Sequence, residues 1–205
     1  MNTRDTILAR IGISGEPGTE YEVIERSYQT VGSLDREVKL NLFIERLVEY
    51  GAGIYRCPHS EIASTVAERL HARAGGNIAI PNDIPREWLP QGINFVPDDE
   101  LSYQQLDRCD GAITGCAAAI ADTGTIILDA AFAQGGRALT LLPDYHLCVV
   151  FEGQVFETVP EAMRALATSC PLTLISGPSA TADIEMTRIQ GVHGPRSLDV
   201  VLVVS

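Results

Sequence analysis

Short apolar runs alternate with amphipathic helical segments along this chain, and this alternation restricts the fold more than any other feature. Residues 33–50 are predicted to be helical because Leu40, Ile44 and Leu47 make one apolar face, and a second helix is predicted after Ser60. The apolar runs are β-rich and bounded by breakers, which predicts strands; they are residues 53–57, 77–80, 93–96, 171–175 and 198–204. Such alternation builds a parallel sheet covered by helices on both faces.

The pattern changes in the middle of the chain. Four predicted strands, at residues 110–114, 125–128, 138–142 and 146–151, are joined by connections too short for helical crossovers, which indicates antiparallel pairing. Thr158 and Glu161 form a capping-box pattern that predicts one more helix. We therefore predict an α/β fold, a mostly parallel sheet flanked by helices with an antiparallel excursion.

The domain organisation follows from the distribution of breakers. Residues 33–205 are predicted to form a single α/β domain. Residues 1–32 are predicted to be an N-terminal arm, because residues 12–20 carry three glycines and a proline. Such an arm is either mobile or packed only through partners.

Charge and hydropathy exclude several classes of partner. A net charge of -12 repels nucleic acid phosphates and anionic lipid, so nucleic acid binding is not expected. No apolar stretch approaches the roughly 20 residues that span a bilayer, so membrane insertion is not expected either. The first ten residues lack the apolar core of a signal peptide. These features predict a cytoplasmic protein.

The five cysteines are scattered, odd in number and without a C-x-x-C pair, which argues against a disulfide framework or a metal site. Four of them adjoin apolar runs, where a free cysteine usually behaves as a small buried apolar residue. We expect no metal and no cofactor in this chain.

Three polar stretches are candidates for a site, and the first is rich in small residues. Residues 114–125 follow a predicted strand and match neither nucleotide-binding fingerprint. Thr123, Gly124 and Thr125 are candidate ligand contacts, because small residues let a ligand approach the backbone. A tight packing corner explains the same residues equally well. Asp122 is either a catalytic carboxylate or a turn cap.

The second candidate is the turn after Leu142. Asp144 and His146 alternate along an extended segment, so they can form a carboxylate–imidazole pair. An ordinary Pro-Asp turn is the alternative. A metal would need a further ligand that the spacing does not supply.

The third candidate lies between the last two predicted strands, where α/β proteins bind ligands beyond the carboxyl ends of their strands. Ser176, Gly177, Ser179 and Thr181 form a hydroxyl-rich turn that leads into a predicted helix, whose first N–H groups suit an anion. The carboxylates of Asp183 and Glu185 would oppose an anion there.

A constrained loop follows this turn. His193 lies among Gly191, Gly194 and Pro195 and close to Arg196, so the pair can bind a carboxylate or exchange a proton. A structural histidine is the alternative. No G-x-S-x-G elbow is present, which disfavours an acyl-transfer triad.

These stretches together resemble the LUD-domain family, and within it the LutC/YkgG group. The resemblance is carried by four motifs in the C-terminal half, at residues 121–125 (ADTGT), 141–146 (LLPDYH), 176–185 (SGPSATADIE) and 191–196 (GVHGPR). One departure is visible, since members of the family commonly carry Glu at the position of Asp122.

The resemblance implies a fold similar to ribose-phosphate isomerases and CoA-transferases. It also implies an accessory role in oxidising L-lactate to pyruvate, with a small carboxylate or anion in a crevice and iron–sulfur clusters only in partner proteins. This chain has no C-x-x-C-x-x-C run with which to hold a cluster of the usual kind.

Two other functions stay open from sequence. One is a free-standing isomerase- or CoA-transferase-type enzyme acting on a small phosphorylated or acyl-CoA substrate, with Asp122 or Glu185 as the catalytic carboxylate and His193 as acid or base. The other is a pure interaction module.

Overall fold

The computed structural model describes residues 3–10, 29–73, 76–166, 170–182, 188–190 and 194–205. The helices are α1 (Thr3–Arg10), α2 (Arg36–Glu49), α3 (Ile62–Arg73), α4 (Tyr103–Leu106) and α5 (Val159–Ala165). The strands are β1 (Gly53–Pro58), β2 (Asn77–Ile80), β3 (Asn94–Pro97), β4 (Gly111–Thr114), β5 (Ala118–Ile120), β6 (Thr125–Leu128), β7 (Tyr145–Phe151), β8 (Val155–Phe156), β9 (Thr173–Ile175), β10 (Ala180–Ala182), β11 (Arg188–Gln190) and β12 (Ser197–Val204).

The strands form a large parallel sheet, a smaller mixed sheet and a hairpin. The large sheet has six strands in the order β1-β12-β7-β4-β2-β3, and its neighbours pair in parallel. The mixed sheet has the order β8-β5-β6-β9, with parallel pairing of β5 and β8 and antiparallel pairing elsewhere. Strands β10 and β11 pair antiparallel. The predicted α/β fold class is confirmed.

The core lies on both faces of the large sheet because its central strands are apolar on both sides. In β12, Val200 and Leu202 pack with α2 and the mixed sheet, while Val201 and Val203 pack with α3 on the opposite face. Each of these four side chains is buried. This two-sided burial explains the continuous apolar run of β12, which is typical of a central parallel strand.

The antiparallel part differs from the prediction in its placement. Strands β4 and β7 are parallel neighbours in the large sheet. The chain between them contains the antiparallel hairpin of β5 and β6, which belongs to the mixed sheet. The sequence analysis missed β5, because Ala118 and Ala119 carry no β-branched signal although both are fully buried.

A further prediction is wrong. Residues 138–142 are not a strand, because a 3₁₀ turn runs over Arg137–Thr140 and places Leu139 in the core. The helix predicted after the Ser176 turn has its first turn at Asp183 and Glu185, which lie outside the described residues, and residues 180–182 before it form β10. Gly177 has φ +87, and its Cα lies against Tyr50 so that a Cβ would come within 2.5 Å of that side chain. The chain then leaves the turn in an extended conformation, with Ser179 N donating to Pro195 O.

The strand before that turn lies at a sheet edge. The run at residues 171–175 was predicted to be a buried strand, but among the described strands β9 pairs only with β6, and Leu174 is 56% exposed. No described helix is long and apolar enough to cross a membrane. Four of the five cysteines are buried, as expected for small apolar residues, and Cys170 is exposed.

The segment that precedes α2 is tied to the mixed sheet by Glu157. This carboxylate is 6% exposed and accepts hydrogen bonds from Ser33 N and Leu34 N, each at 2.6 Å. It also accepts from Gln29 Nε2 at 3.0 Å. Residues 29–34 therefore follow the surface of the domain, on the N-terminal side of α2.

Candidate functional site

A crevice of about 400 Å³ lies between the end of β9 and the amino ends of β7 and β12. His146 and Leu198 border it, and each is the second residue of its strand in the large sheet. The crevice is thus at the amino ends of these strands, whereas the sequence analysis expected the carboxyl ends. The difference arises because Ser176 follows the carboxyl end of β9, which belongs to the mixed sheet.

Four sequence-predicted residues line this crevice, and they come from two of the three candidate stretches. These are His146, Ser176, Gly177 and Ser179. Gly194 and Pro195, from the loop before β12, complete the same wall. The fold therefore brings the second and third stretches together around one cavity.

His146 is the most deeply placed polar group of the crevice. Its side chain is 1% exposed, and its Nε2 shares a hydrogen bond of 2.8 Å with Thr114 Oγ1. Burial lowers the pKa of His146 to about 4, so the imidazole is neutral at physiological pH. Its Nδ1 has no hydrogen-bond partner among the described residues.

Hydroxyl groups connect the first candidate stretch to the third. Thr125 Oγ1 lies 2.7 Å from Thr123 Oγ1 and 2.8 Å from Ser176 Oγ. Thr125 is buried, so this hydroxyl chain joins the ends of β6 and β9. Gly124 has φ +58 and packs against Arg46 of α2, which a side chain would prevent. Thr123 and Thr125 therefore support the side chain of Ser176 through this chain of hydroxyl groups, and Gly124 allows the close contact with α2.

Three charged candidates lie outside the lining of the crevice. Asp122 is exposed, and its backbone N–H donates to Glu157 O. Asp144 and Arg196 form an ion pair with an N–O distance of 3.4 Å, and their side chains are 67% and 63% exposed. An exposed pair of this kind contributes little to stability, about 0–1 kcal/mol.

The remaining predicted residues cannot be placed. Asp183, Glu185 and His193 lie outside the described residues. For Thr181 the structure describes only the backbone, as the central residue of β10.

Arg137 and Thr140 line the crevice and were missed by the sequence analysis. They are the first and last residues of the 3₁₀ turn Arg137–Thr140, which overlaps the strand predicted at residues 138–142. The sequence did contain one indication that Arg137 is functional, because this arginine directly follows two glycines in an acidic chain. Arg137 is exposed and makes no ion pair with any described residue. Its planar guanidinium suits a carboxylate, which it can bind through two parallel hydrogen bonds.

A second cavity of about 330 Å³ adjoins the crevice. Its lining residues come from the loop after β6, the 3₁₀ turn and the start of β9; they are Leu128, Ala130, Gln134, Gly135, Gly136, Arg137, Thr140, Pro171 and Thr173. Arg137, Thr140 and Thr173 line both cavities. The two spaces therefore meet at the only cation among the described lining residues.

The family model for the LUD domain matches residues 40–203. The chain belongs to the LUD domain family. This LUD domain protein is 44% identical over 182 residues to "Lactate utilization protein C" of Deinococcus radiodurans, an alignment that covers 86% of this chain and 84% of the relative. It is 36% identical over 122 residues to "Uncharacterized protein YkgG" of Escherichia coli, covering 53% of this chain and 52% of the relative.

A solved structure confirms the fold. The crystal structure of a DUF162 family protein from Deinococcus radiodurans superposes with a TM-score of 0.72 at 40% identity. The match covers 84% of this chain and 100% of that chain. The LUD domain described here thus shares its arrangement of helices and sheets with a protein of known structure and similar sequence.

Proposed function

We propose that this LUD domain protein is an accessory subunit of a cytoplasmic system that oxidises L-lactate to pyruvate, and that its crevice binds a small carboxylate. The observation that carries the proposal is the 44% identity to a lactate utilization protein over most of both chains. The chemistry of the crevice supports it, because a cation, a neutral imidazole and two serines surround one space.

A 2-hydroxy acid matches these groups one by one. Its carboxylate would receive hydrogen bonds from the guanidinium of Arg137, which has no competing described ion pair. Its hydroxyl would hydrogen-bond to Ser176, whose side chain lines the same crevice. Burial keeps the imidazole of His146 neutral at physiological pH, so Arg137 supplies the positive charge of the crevice.

Electron transfer is assigned to iron–sulfur partner proteins. A cluster of the usual kind requires four cysteine thiolates. Among the described residues no group of three or more His, Cys, Asp or Glu side chains is close enough to hold a metal ion. The residues present do not fit such a cluster, so the proposed role of this chain is to bind the carboxylate beside its partners.

Reconstitution tests the proposal. Co-expression with the two iron–sulfur proteins is expected to give lactate-dependent dye reduction that is lost when this chain is omitted. Arg137→Gln should raise the lactate concentration needed for half-maximal reduction by about tenfold, because one charge-assisted contact is lost. Arg86→Gln, an exposed arginine outside the crevice lining, is the control. Full dye reduction without this chain would refute the proposal.

The competing reading is a free-standing isomerase- or CoA-transferase-type enzyme. Of its proposed carboxylates, Asp122 is exposed and outside the crevice lining. Such an enzyme would turn over a sugar phosphate or an acyl-CoA without any partner. Screening the purified chain against both substrate classes therefore separates the two functions, since an accessory subunit is expected to be inactive alone.

A further inference from the structure

The crevice and the second cavity are together too large for a three-carbon acid. Their volumes are about 400 Å³ and about 330 Å³. Each already falls in the range of about 300–1,000 Å³ that encloses drug-sized ligands. Arg137, Thr140 and Thr173 border both spaces, so the two cavities are direct neighbours.

The two compartments differ in chemistry. The crevice carries His146, Ser176 and Ser179, which supply hydrogen-bonding groups. The second cavity is bordered mainly by Leu128, Ala130, Pro171 and glycine backbone. Its polar lining residues are Gln134 and the three residues at the junction with the crevice, Arg137, Thr140 and Thr173. A molecule that fills both would therefore have a polar acidic end and an apolar chain.

The loop that closes the second cavity is strained and firmly held. Ala130 and Ala133 have φ values of 58 and 59, a left-handed conformation that costs roughly 1 kcal/mol or more for an alanine. The side chain of Gln134 is 3% exposed and accepts a hydrogen bond from Asp129 N at 2.7 Å. The oxygen of Ala133 accepts another from Gly115 N. Strain that the surroundings maintain in this way is concentrated at ligand sites.

We propose that the two compartments form one groove for an amphipathic 2-hydroxy carboxylate longer than lactate. The acidic end lies at Arg137 and His146, and the apolar chain runs past Thr140 and Thr173 towards Leu128. The position of the acidic end rests on the proposed function, whereas the extended groove is argued from the two cavities. The inference names the substrate class of the same site, which is 2-hydroxy acids with an unbranched apolar chain.

Calorimetric titration of the purified full chain tests the groove with L-lactate, 2-hydroxyoctanoate and octane-1,2-diol. Each buried methylene strengthens binding by a factor of roughly four. The five additional methylenes of 2-hydroxyoctanoate are therefore expected to raise the affinity over that for L-lactate by at least about tenfold, even when burial is partial. The diol, which has the chain and no carboxylate, should bind at least about tenfold more weakly than 2-hydroxyoctanoate.

Variants that fill the second cavity test whether the apolar chain of the ligand lies there. Gly136 has φ -78, and a Cβ there would meet only Asp98 Oδ2 at 3.9 Å, so Gly136→Phe adds bulk without backbone strain. It should reduce the affinity for 2-hydroxyoctanoate to that for L-lactate. Pro171→Trp, at an exposed lining residue, provides a second blocking variant if the first does not fold.

The outcomes separate the inference from the proposed function. Equal affinities for 2-hydroxyoctanoate and L-lactate, or a blocked variant that retains the difference, would overturn the extended groove. Dye reduction by the reconstituted system decides the lactate role independently. Binding of 2-hydroxyoctanoate by a chain that is dispensable for dye reduction would support the groove and refute the accessory role.

Discussion

The buried imidazole of His146 should make stability depend on pH in a way that one substitution removes. Burial lowers its pKa from 6.5 to about 4 in the folded protein. Above both values the ring is neutral in the folded and unfolded states, so the full stability is present. As the pH falls below the unfolded value, the unfolded chain takes up a proton that the folded protein does not, and stability is lost until the folded pKa is reached.

The size of the loss in unfolding free energy follows from the pKa shift of His146. Each pH unit between the two pKa values removes about 1.4 kcal/mol. At about pH 5 the loss is therefore about 2 kcal/mol, and it is complete at about 3 kcal/mol once the folded ring is protonated. His146→Gln replaces the ring with a side chain that does not titrate. The variant will have its own constant cost from the lost packing and the lost contact with Thr114.

Urea unfolding of both proteins at about pH 7.5 and about pH 5 isolates the titration. The difference in unfolding free energy between wild type and His146→Gln should be smaller at the acidic pH by about 2 kcal/mol. His71→Gln is the matched control, because it removes an exposed imidazole from the end of α3. An identical difference at both pH values would refute a neutral, buried His146.

Two further substitutions test the contacts that support the site. Gly124→Ala should lower the unfolding free energy by about 2–3 kcal/mol, because the left-handed backbone is strained and the new Cβ would lie 2.6 Å from Arg46 Cβ. Gly51→Ala, with φ +84 and no atom within 4 Å of the Cβ, should cost only about 1 kcal/mol, and equal costs at both glycines would contradict the packing argument. Glu157→Ala should cost about 2 kcal/mol and speed amide exchange at Ser33, because that N–H loses its carboxylate acceptor. Slow exchange in this variant would show that the segment is held by other contacts.

Sequence patterns predicted the parts of the fold that depend on local periodicity. Leu40 and Leu47 repeat at helical spacing and mark the buried face of α2, and the run after Ser197 marks β12, an interior strand of the large sheet. The pairing partners of the strands, in contrast, could not be predicted from local sequence patterns. Residues 118–120 form a strand through pairing with β6 and β8, and the small side chains of Ala118 and Ala119 give no strand signal of their own.

The candidate site was likewise predicted only where local sequence patterns were sufficient. His146 and Ser176 were identified as polar residues next to apolar runs, and the structure places both at one crevice. Arg137 was overlooked, since the apolar residues after it resemble a strand although they form a 3₁₀ turn. The expected anion site at a helix terminus stays a prediction, because Asp183 and Glu185 lie outside the described residues.

The mixed sheet joins strands that are distant along the chain, and this affects how the protein folds. Strand β9 pairs with β6, so that Ile175 lies opposite Ile126. The intervening chain includes β7, the central strand of the large sheet. Closing so long a loop has an entropic cost before any contact compensates for it, which slows folding. The pairing of β1 with β12 in the large sheet closes a still longer loop, since Gly53 lies opposite Asp199. The wall that carries Ser176 needs the pairing of β6 with β9 as well, so ligand binding reports on the mixed sheet and not only on the six-stranded sheet.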